Sequence, residues 1–232
     1  MKINAILTGS TGMVGKGVLL ECLQSPKTEK VLVINRKPVG ISHSKLTEII
    51  HSDFFDLGKI TKELSGYNTC FFCLGVSSAG MSEKDYSHYT YDLTLNFAKL
   101  LKDLNPGMTF CYVSGAGTDS SEKGRSMWAR VKGKTENALL SLGFKDAYMF
   151  RPGFIKAMKG VKSRTALYNV LYVIFTPIFP LIMAFPKIAT TSEALSRAMI
   201  HVASEGYRKK VLESLDINEI VKSKAGNNLT SL

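Results

Sequence analysis

Trp128 and Lys132 stand four residues apart in the stretch SMWARVKGK (126–134), so on a helix the two side chains share one face. The lysine brings a cation. The indole can donate a hydrogen bond to a carbonyl but does not titrate in water. A second stretch that could do chemistry is TGSTGMVGKG, which spaces Gly9, Gly12 and Gly15 three apart with Thr11, Met13 and Val14 between them. At a strand-to-helix turn this spacing suits a dinucleotide pyrophosphate: Gly9 for the tight turn, Gly12 for close approach of the phosphates, Gly15 for packing of helix on strand. A third is INRKP. Where an NAD-binding chain carries Asp or Glu for the ribose 2′-hydroxyl, Asn35, Arg36 and Lys37 offer no carboxylate and two cations. A guanidinium takes a 2′-phosphate by paired hydrogen bonds, so NADP is favoured, with NAD still possible. The alternative is that Arg36 and Lys37 belong to a solvated loop.

These groups need elements to position them. Apolar runs at 3–9, 30–36, 45–51, 68–75, 108–115 and 146–153 alternate with amphipathic stretches at 12–24, 89–104 and 126–142. Strands separated by helices imply parallel pairing, and parallel strands buried on both faces explain runs that are almost continuously apolar. The expected fold is α/β, a doubly wound parallel Rossmann sheet in one domain over residues 1–232, with a small C-terminal helical cap. In that setting the glycines lie at the first strand-to-helix turn of a βαβ unit.

Composition narrows the classes. The 232 residues are 45% hydrophobic and 21% charged, the profile of an ordinary folded chain, and the net charge of +11 suggests an anionic partner. The positive charge is spread rather than gathered beside stacking aromatics, which argues against specific nucleic-acid binding. Four cysteines fit a reducing compartment. The CFFC at 70–73 falls inside a strand run, where positions i and i+3 face opposite ways, so it is not a redox pair. Histidines 43, 51, 88 and 201 are scattered, and no metal site is expected. The opening MKINAILTG has too short an apolar run for a secretory signal, so a cytoplasmic location is expected.

TGSTGMVG, HSDFFDL, CFFCLG, YVSGAG, WARVKGKTE and RPGFI occur in the order and spacing of the atypical short-chain dehydrogenase/reductases. The chain most resembles their epimerase-like, Tat-interacting-protein-type branch, over about residues 2–204. The resemblance implies NAD(P) binding. It places Asp53 and Phe54 at the adenine, Leu74 and Gly75 along the cofactor after the fourth strand, and Pro152, Gly153, Phe154 and Ile155 by the nicotinamide. It makes Ser114 the catalytic serine and Lys132 the catalytic lysine, which also holds the cofactor. The family's tyrosine falls at Trp128. A phenol there would exchange a proton with the substrate carbonyl; an indole cannot, and losing a general acid typically costs a factor of about 10²–10⁴ in rate. Tyr86, Tyr89 and Tyr91, in YSHYTY, are candidate substitutes.

The segment 156–190 is the expected cap or membrane-contact insertion. It opens with Lys156, Lys159, Lys162 and Arg164 and then runs uncharged from Thr165 to Pro186. Pro177, Pro180 and Pro186 argue against one straight span across a bilayer. The run suits either an apolar wall over a substrate or peripheral contact through 156–186 with an anionic membrane. A helix from about Thr191, a short strand, a last small helix and a frayed tail (225–232) close the chain. Three readings follow: an NADP-dependent reductase of a small apolar or lipid-like carbonyl compound, a cofactor-binding regulator or scaffold, and a membrane-surface adaptor. The sequence does not indicate an oligomeric state.

Overall fold

The computed structural model describes residues 1–158 and 184–227. Its framework is a sheet of seven strands: β1 (Ile3–Thr8), β2 (Thr28–Asn35), β3 (Leu46–Ile50), β4 (Thr69–Phe72), β5 (Thr109–Val113), β6 (Asp146–Arg151) and β9 (Val211–Glu213). All adjacent pairs run parallel, in the order β3-β2-β1-β4-β5-β6-β9. The winding reverses between β1 and β4, and in such sheets ligands bind beyond the carboxyl ends of the strands at that reversal. A separate two-stranded parallel sheet joins β7 (Phe154–Lys156) to β8 (Ala189–Thr191). That pairing closes the root of the apolar segment. The segment's residues 159–183, with most of the expected cap or membrane contact, lie outside the described residues.

Strand β1 shows why the sheet needs cover on both faces. Ala5 and Leu7 enter one apolar layer with Val18, Leu19, Leu195 and Met199, while Ile6 enters the other with Phe72, Phe97 and Phe110. The first layer is built with α1 (Met13–Gln24) and α5 (Ser192–Glu205), the second with α3 (Leu93–Leu104) and α4 (Met127–Ser141). Thr191 caps α5 by accepting a hydrogen bond from the Ala194 amide at 2.9 Å. The chain then continues into α6 (Ser214–Asn227), which extends three residues into the stretch expected to be a frayed tail.

Some boundaries differ from expectation. The helix expected from residue 89 starts earlier, as α2 (Glu83–Ser87), then passes through a π-helical turn (His88–Asp92) into α3. Ser82 sets that start: its hydroxyl accepts from the Asp85 amide at 3.1 Å and lies 2.7 Å from the Asp85 carboxylate. The strand expected over 68–75 pairs only from Thr69 to Phe72, because Cys73 to Gly75 leave the ladder to run past the glycine turn.

Candidate functional site

The turn after β1 admits no side chain at two of its three glycines. Gly9 takes φ +71°, and a Cβ there would lie 2.5 Å from the Cys73 carbonyl oxygen, inside the backbone that leaves β4. A Cβ on Gly15 would lie 2.2 Å from the Gly9 carbonyl oxygen. Gly15 therefore packs the first turn of α1 onto the glycine loop itself, rather than onto a strand as expected. Gly12 donates its amide to Gly9 O at 2.9 Å and stands at the helix's N-cap in extended conformation. No side chain caps α1 and its first turn holds no acid, so the positive end of its dipole and its leading amides face outward. Thr11, Met13 and Val14 are half-buried around this opening. At the end of β1, Thr8 is wholly buried with a hydroxyl that has no partner among the described residues. An open helix start, a cradle that a Cβ would fill and an orphaned hydroxyl beside it fit a bound diphosphate.

At the end of β2, Asn35 is 3% exposed; its amide accepts from the Ser10 hydroxyl at 2.9 Å and donates to Glu48 Oε1 at 2.8 Å. The Asn35 side chain is thus a strut between the glycine loop and β3. Glu48 is the carboxylate at this edge, and the Val39 amide also donates to it at 2.9 Å. It was missed in the sequence, where the signal was an acid set in the middle of an apolar strand. Arg36 and Lys37 are exposed and form no hydrogen bond or ion pair among the described residues.

Asp53 is exposed, its carboxylate accepting from the Phe55 and Asp56 amides at 2.8 and 3.3 Å. The Phe54 ring is buried 6.2 Å from Phe97, so only its main chain can face an adenine. Leu74 is half-buried and Gly75 exposed. A Cβ on Gly75 would stand 3.9 Å from Lys132 Nζ, which brings the lysine to the chain leaving β4. Lys132 is 7% exposed and donates to the Tyr112 hydroxyl at 3.0 Å. Burial lowers its pKa below the usual lysine value, opposed by Tyr86 and Glu136, which favour the ammonium. Burial, then the nearby Glu136, pushes the Tyr112 phenol far above its ordinary value.

Ser114 is where the expected catalytic set departs most from the structure. On this half-buried residue the hydroxyl is engaged, 2.5 Å from Glu136 Oε1 and 3.1 Å from the Phe150 carbonyl. Glu136 is wholly buried and pairs with Arg151, whose Nε lies 3.1 Å from both carboxylate oxygens and whose Nη2 also reaches it. Ser114 therefore belongs to a buried ion-pair network joining β5, α4 and β6. The next residue, Gly115, has φ +152° and open space where a Cβ would point. Glu136 follows Lys132 by one helical turn and Arg151 closes an apolar strand, so two charges in core positions were the available signal for this network.

Trp128 is half-buried in the first turn of α4, its ring edge 3.5 Å from where a Cβ on Gly117 would lie. Pro152 accepts the Ala116 amide at 2.9 Å, Gly153 donates to Ser214 Oγ at 2.8 Å, and Phe154 donates to Ile188 O at 2.8 Å. These main-chain groups fasten the segment in place, and Phe154 and Ile155 remain half-buried. The three tyrosines separate: Tyr86 is buried against α4, Tyr89 is 45% exposed beside His88 and Phe55, and the Tyr91 ring lies under Lys134. All four thiols are free, and burial raises each of them. Among the described residues no cluster could hold a metal, and no helix is long and apolar enough to cross a membrane.

No family model matches the chain. It is 26% identical over 229 residues to Protein FMP52, mitochondrial, of Debaryomyces hansenii, covering 95% of this chain and 99% of that one. It is also 30% identical over 177 residues to Leucinostatins biosynthesis cluster protein T of Purpureocillium lilacinum, covering 74% and 63%. Among solved structures, the dTDP-glucose 4,6-dehydratase DesIV of Streptomyces venezuelae, with NAD bound, superposes with a TM-score of 0.67 at 15% identity, over 97% of this chain and 81% of that one. The Bordetella bronchiseptica enzyme WbmF in complex with NAD+ does so at 0.66 and 14%, over 98% and 79%. A short chain dehydrogenase family protein of Francisella tularensis gives 0.62 and 17%, over 89% and 93%. The fold is the Rossmann fold of short-chain dehydrogenases and NAD-dependent epimerases and dehydratases. The cytoplasmic expectation is overturned, since relatives aligned along nearly the whole chain, in D. hansenii and Meyerozyma guilliermondii, are named mitochondrial proteins.

Proposed function

We propose that this chain is an NADP-binding atypical short-chain dehydrogenase/reductase, nearest in motifs to the Tat-interacting-protein-type branch, that reduces a small apolar or lipid-like carbonyl compound. One observation carries the reading: the glycine turn is closed to side chains at Gly9 and Gly15 and leads into an uncapped helix beside Arg36 and Lys37, which have no partner among the described residues. Gly12 and the leading amides of α1 would hold the pyrophosphate, Arg36 and Lys37 the 2′-phosphate, and Asp53 with the Phe54 main chain the adenine. Lys132, beside Gly75, would hold the nicotinamide ribose. The bound dinucleotide would supply the hydride. The mitochondrial names of the relatives support action at that organelle, and peripheral membrane contact through 156–186 is part of the proposal. Phe185 and Ile188, each 54% exposed around Lys187, support that contact.

The reading is tested by NADPH oxidation with hydrophobic aldehydes, ketones and quinones. Turnover of one class supports it, whereas binding of NADPH without turnover of any class favours a second reading, a cofactor-binding regulator. That second reading draws on the network that occupies Ser114 and on Trp128, which together leave two of the family's three catalytic positions without their usual function.

A further inference from the structure

One phenol packed against α4 has a hydroxyl without a hydrogen bond among the described residues. Tyr86 lies on α2, which Arg130 fastens to α4 by donating from Nε and Nη2 to Glu83 at 3.3 and 2.6 Å. Tyr86 follows Glu83 by one helical turn, so it projects to the same side, onto α4, and its ring is 3% exposed. Its hydroxyl has no hydrogen-bond partner among the described residues, yet it is not one of the sealed polar atoms, as those of Thr8 and Thr90 are. The ring is held, and its hydroxyl carries no hydrogen bond among the described residues that proton transfer would have to break. Among the described residues, the phenols that flank Tyr86 in sequence or touch Lys132 are spent or misplaced. Tyr112 is wholly buried with its oxygen accepting from Lys132, Tyr91 lies under Lys134, and Tyr89 meets His88 edge-on at the surface. Tyr86 is also near enough to Lys132 to favour its ammonium, second only to the opposing effect of burial.

We propose that Tyr86 is the proton donor of this site, supplied from α2 in place of the phenol that Trp128 displaces on α4. The inference rests on the reductase reading. As the carbonyl carbon gains a hydride, the π pair moves to oxygen and the Tyr86 O–H bond breaks to form the alcohol O–H. The resulting phenolate, stabilised by the Lys132 ammonium, is reprotonated from water.

Two measurements on Tyr86→Phe test it, with Tyr91→Phe as the control. The first follows the Lys132 amine by NMR pH titration of lysine-labelled protein without cofactor, the signal being assigned by its loss in Lys132→Met. Removing a phenol whose phenolate favours the ammonium is expected to lower the Lys132 midpoint, while Tyr91→Phe leaves it in place. The second measures kcat for NADPH oxidation with the same carbonyl panel, alongside NADPH affinity by calorimetry. Tyr86→Phe is expected to lower kcat by about 10²–10⁴ with NADPH affinity held. An unmoved Lys132 midpoint, or wild-type kcat in Tyr86→Phe, overturns the proposal and leaves the reductase reading standing. No turnover by the wild-type protein, with NADPH bound, overturns the reductase reading and Tyr86's role with it.

Discussion

Removing the Glu136 carboxylate tests whether Ser114 serves the fold or the chemistry. In Glu136→Ala the Arg151 guanidinium, whose side chain is 12% exposed, loses the carboxylate held by its Nε and Nη2. What remains is Glu213 at 3.6 Å, itself 48% exposed, and the Ser120 hydroxyl. A partner that exposed contributes little, so the buried cation is left almost uncompensated. Breaking a buried pair from one side costs about 3–5 kcal/mol. For a chain of this size each kcal/mol moves Tm by about 2–4 °C, so the expected fall is roughly 6–20 °C by circular dichroism. Ser114→Ala removes one hydrogen bond to a charged group, about 1.5–3 kcal/mol, and should lower Tm by roughly 3–12 °C without changing kcat. If Ser114→Ala keeps the wild-type Tm and instead lowers turnover a hundredfold, the hydroxyl faces substrate and its assignment to the ion-pair network is wrong.

Gly15→Ala should abolish measurable dinucleotide binding, because a methyl 2.2 Å from the Gly9 carbonyl oxygen displaces the turn from the helix start; equilibrium titration checks this. Arg36→Ala should weaken NADPH by about 10–150-fold, the equivalent of a charge-assisted pair of about 1.5–3 kcal/mol, and leave NADH affinity unchanged. Lys132→Met gives a pH signature. The folded-state pKa of Lys132 is lowered, so between that value and the unfolded value near ~10.4 the unfolded chain binds more protons and stability rises with pH. The stability of Lys132→Met relative to wild type should therefore be highest below that window and fall as pH rises through it. The Tyr112 hydroxyl that loses its partner adds only a constant offset, since it stays protonated throughout.

The sheet was legible because parallel strands buried on both faces leave an unmistakable record: Ala5 and Leu7 need one apolar layer and Ile6 another, and both needs show as an unbroken run. The glycine turn was legible because steric exclusion at Gly9 and Gly15 leaves glycine as the fitting residue. Ser114 was not, because a strand end alternates its side chains. One position decides whether a hydroxyl meets the cleft or the layer beneath, and here the buried Glu136 and Arg151 claim it. The strut role of Asn35 was hidden for a similar reason: Ser10 and Glu48 each bond its amide across distances in sequence that no local pattern reports. Tyr86 could be counted among candidates from the sequence. The contact that singles it out, α2 on α4 through Glu83 and Arg130, joins residues 47 apart.

The most direct test of the account is calorimetric titration of NADPH into the protein at low ionic strength. The account expects saturable binding of one NADPH per chain, weakened at least tenfold by Arg36→Ala. Absence of heat up to millimolar NADPH, or binding that Arg36→Ala and Gly15→Ala both leave untouched, would contradict it.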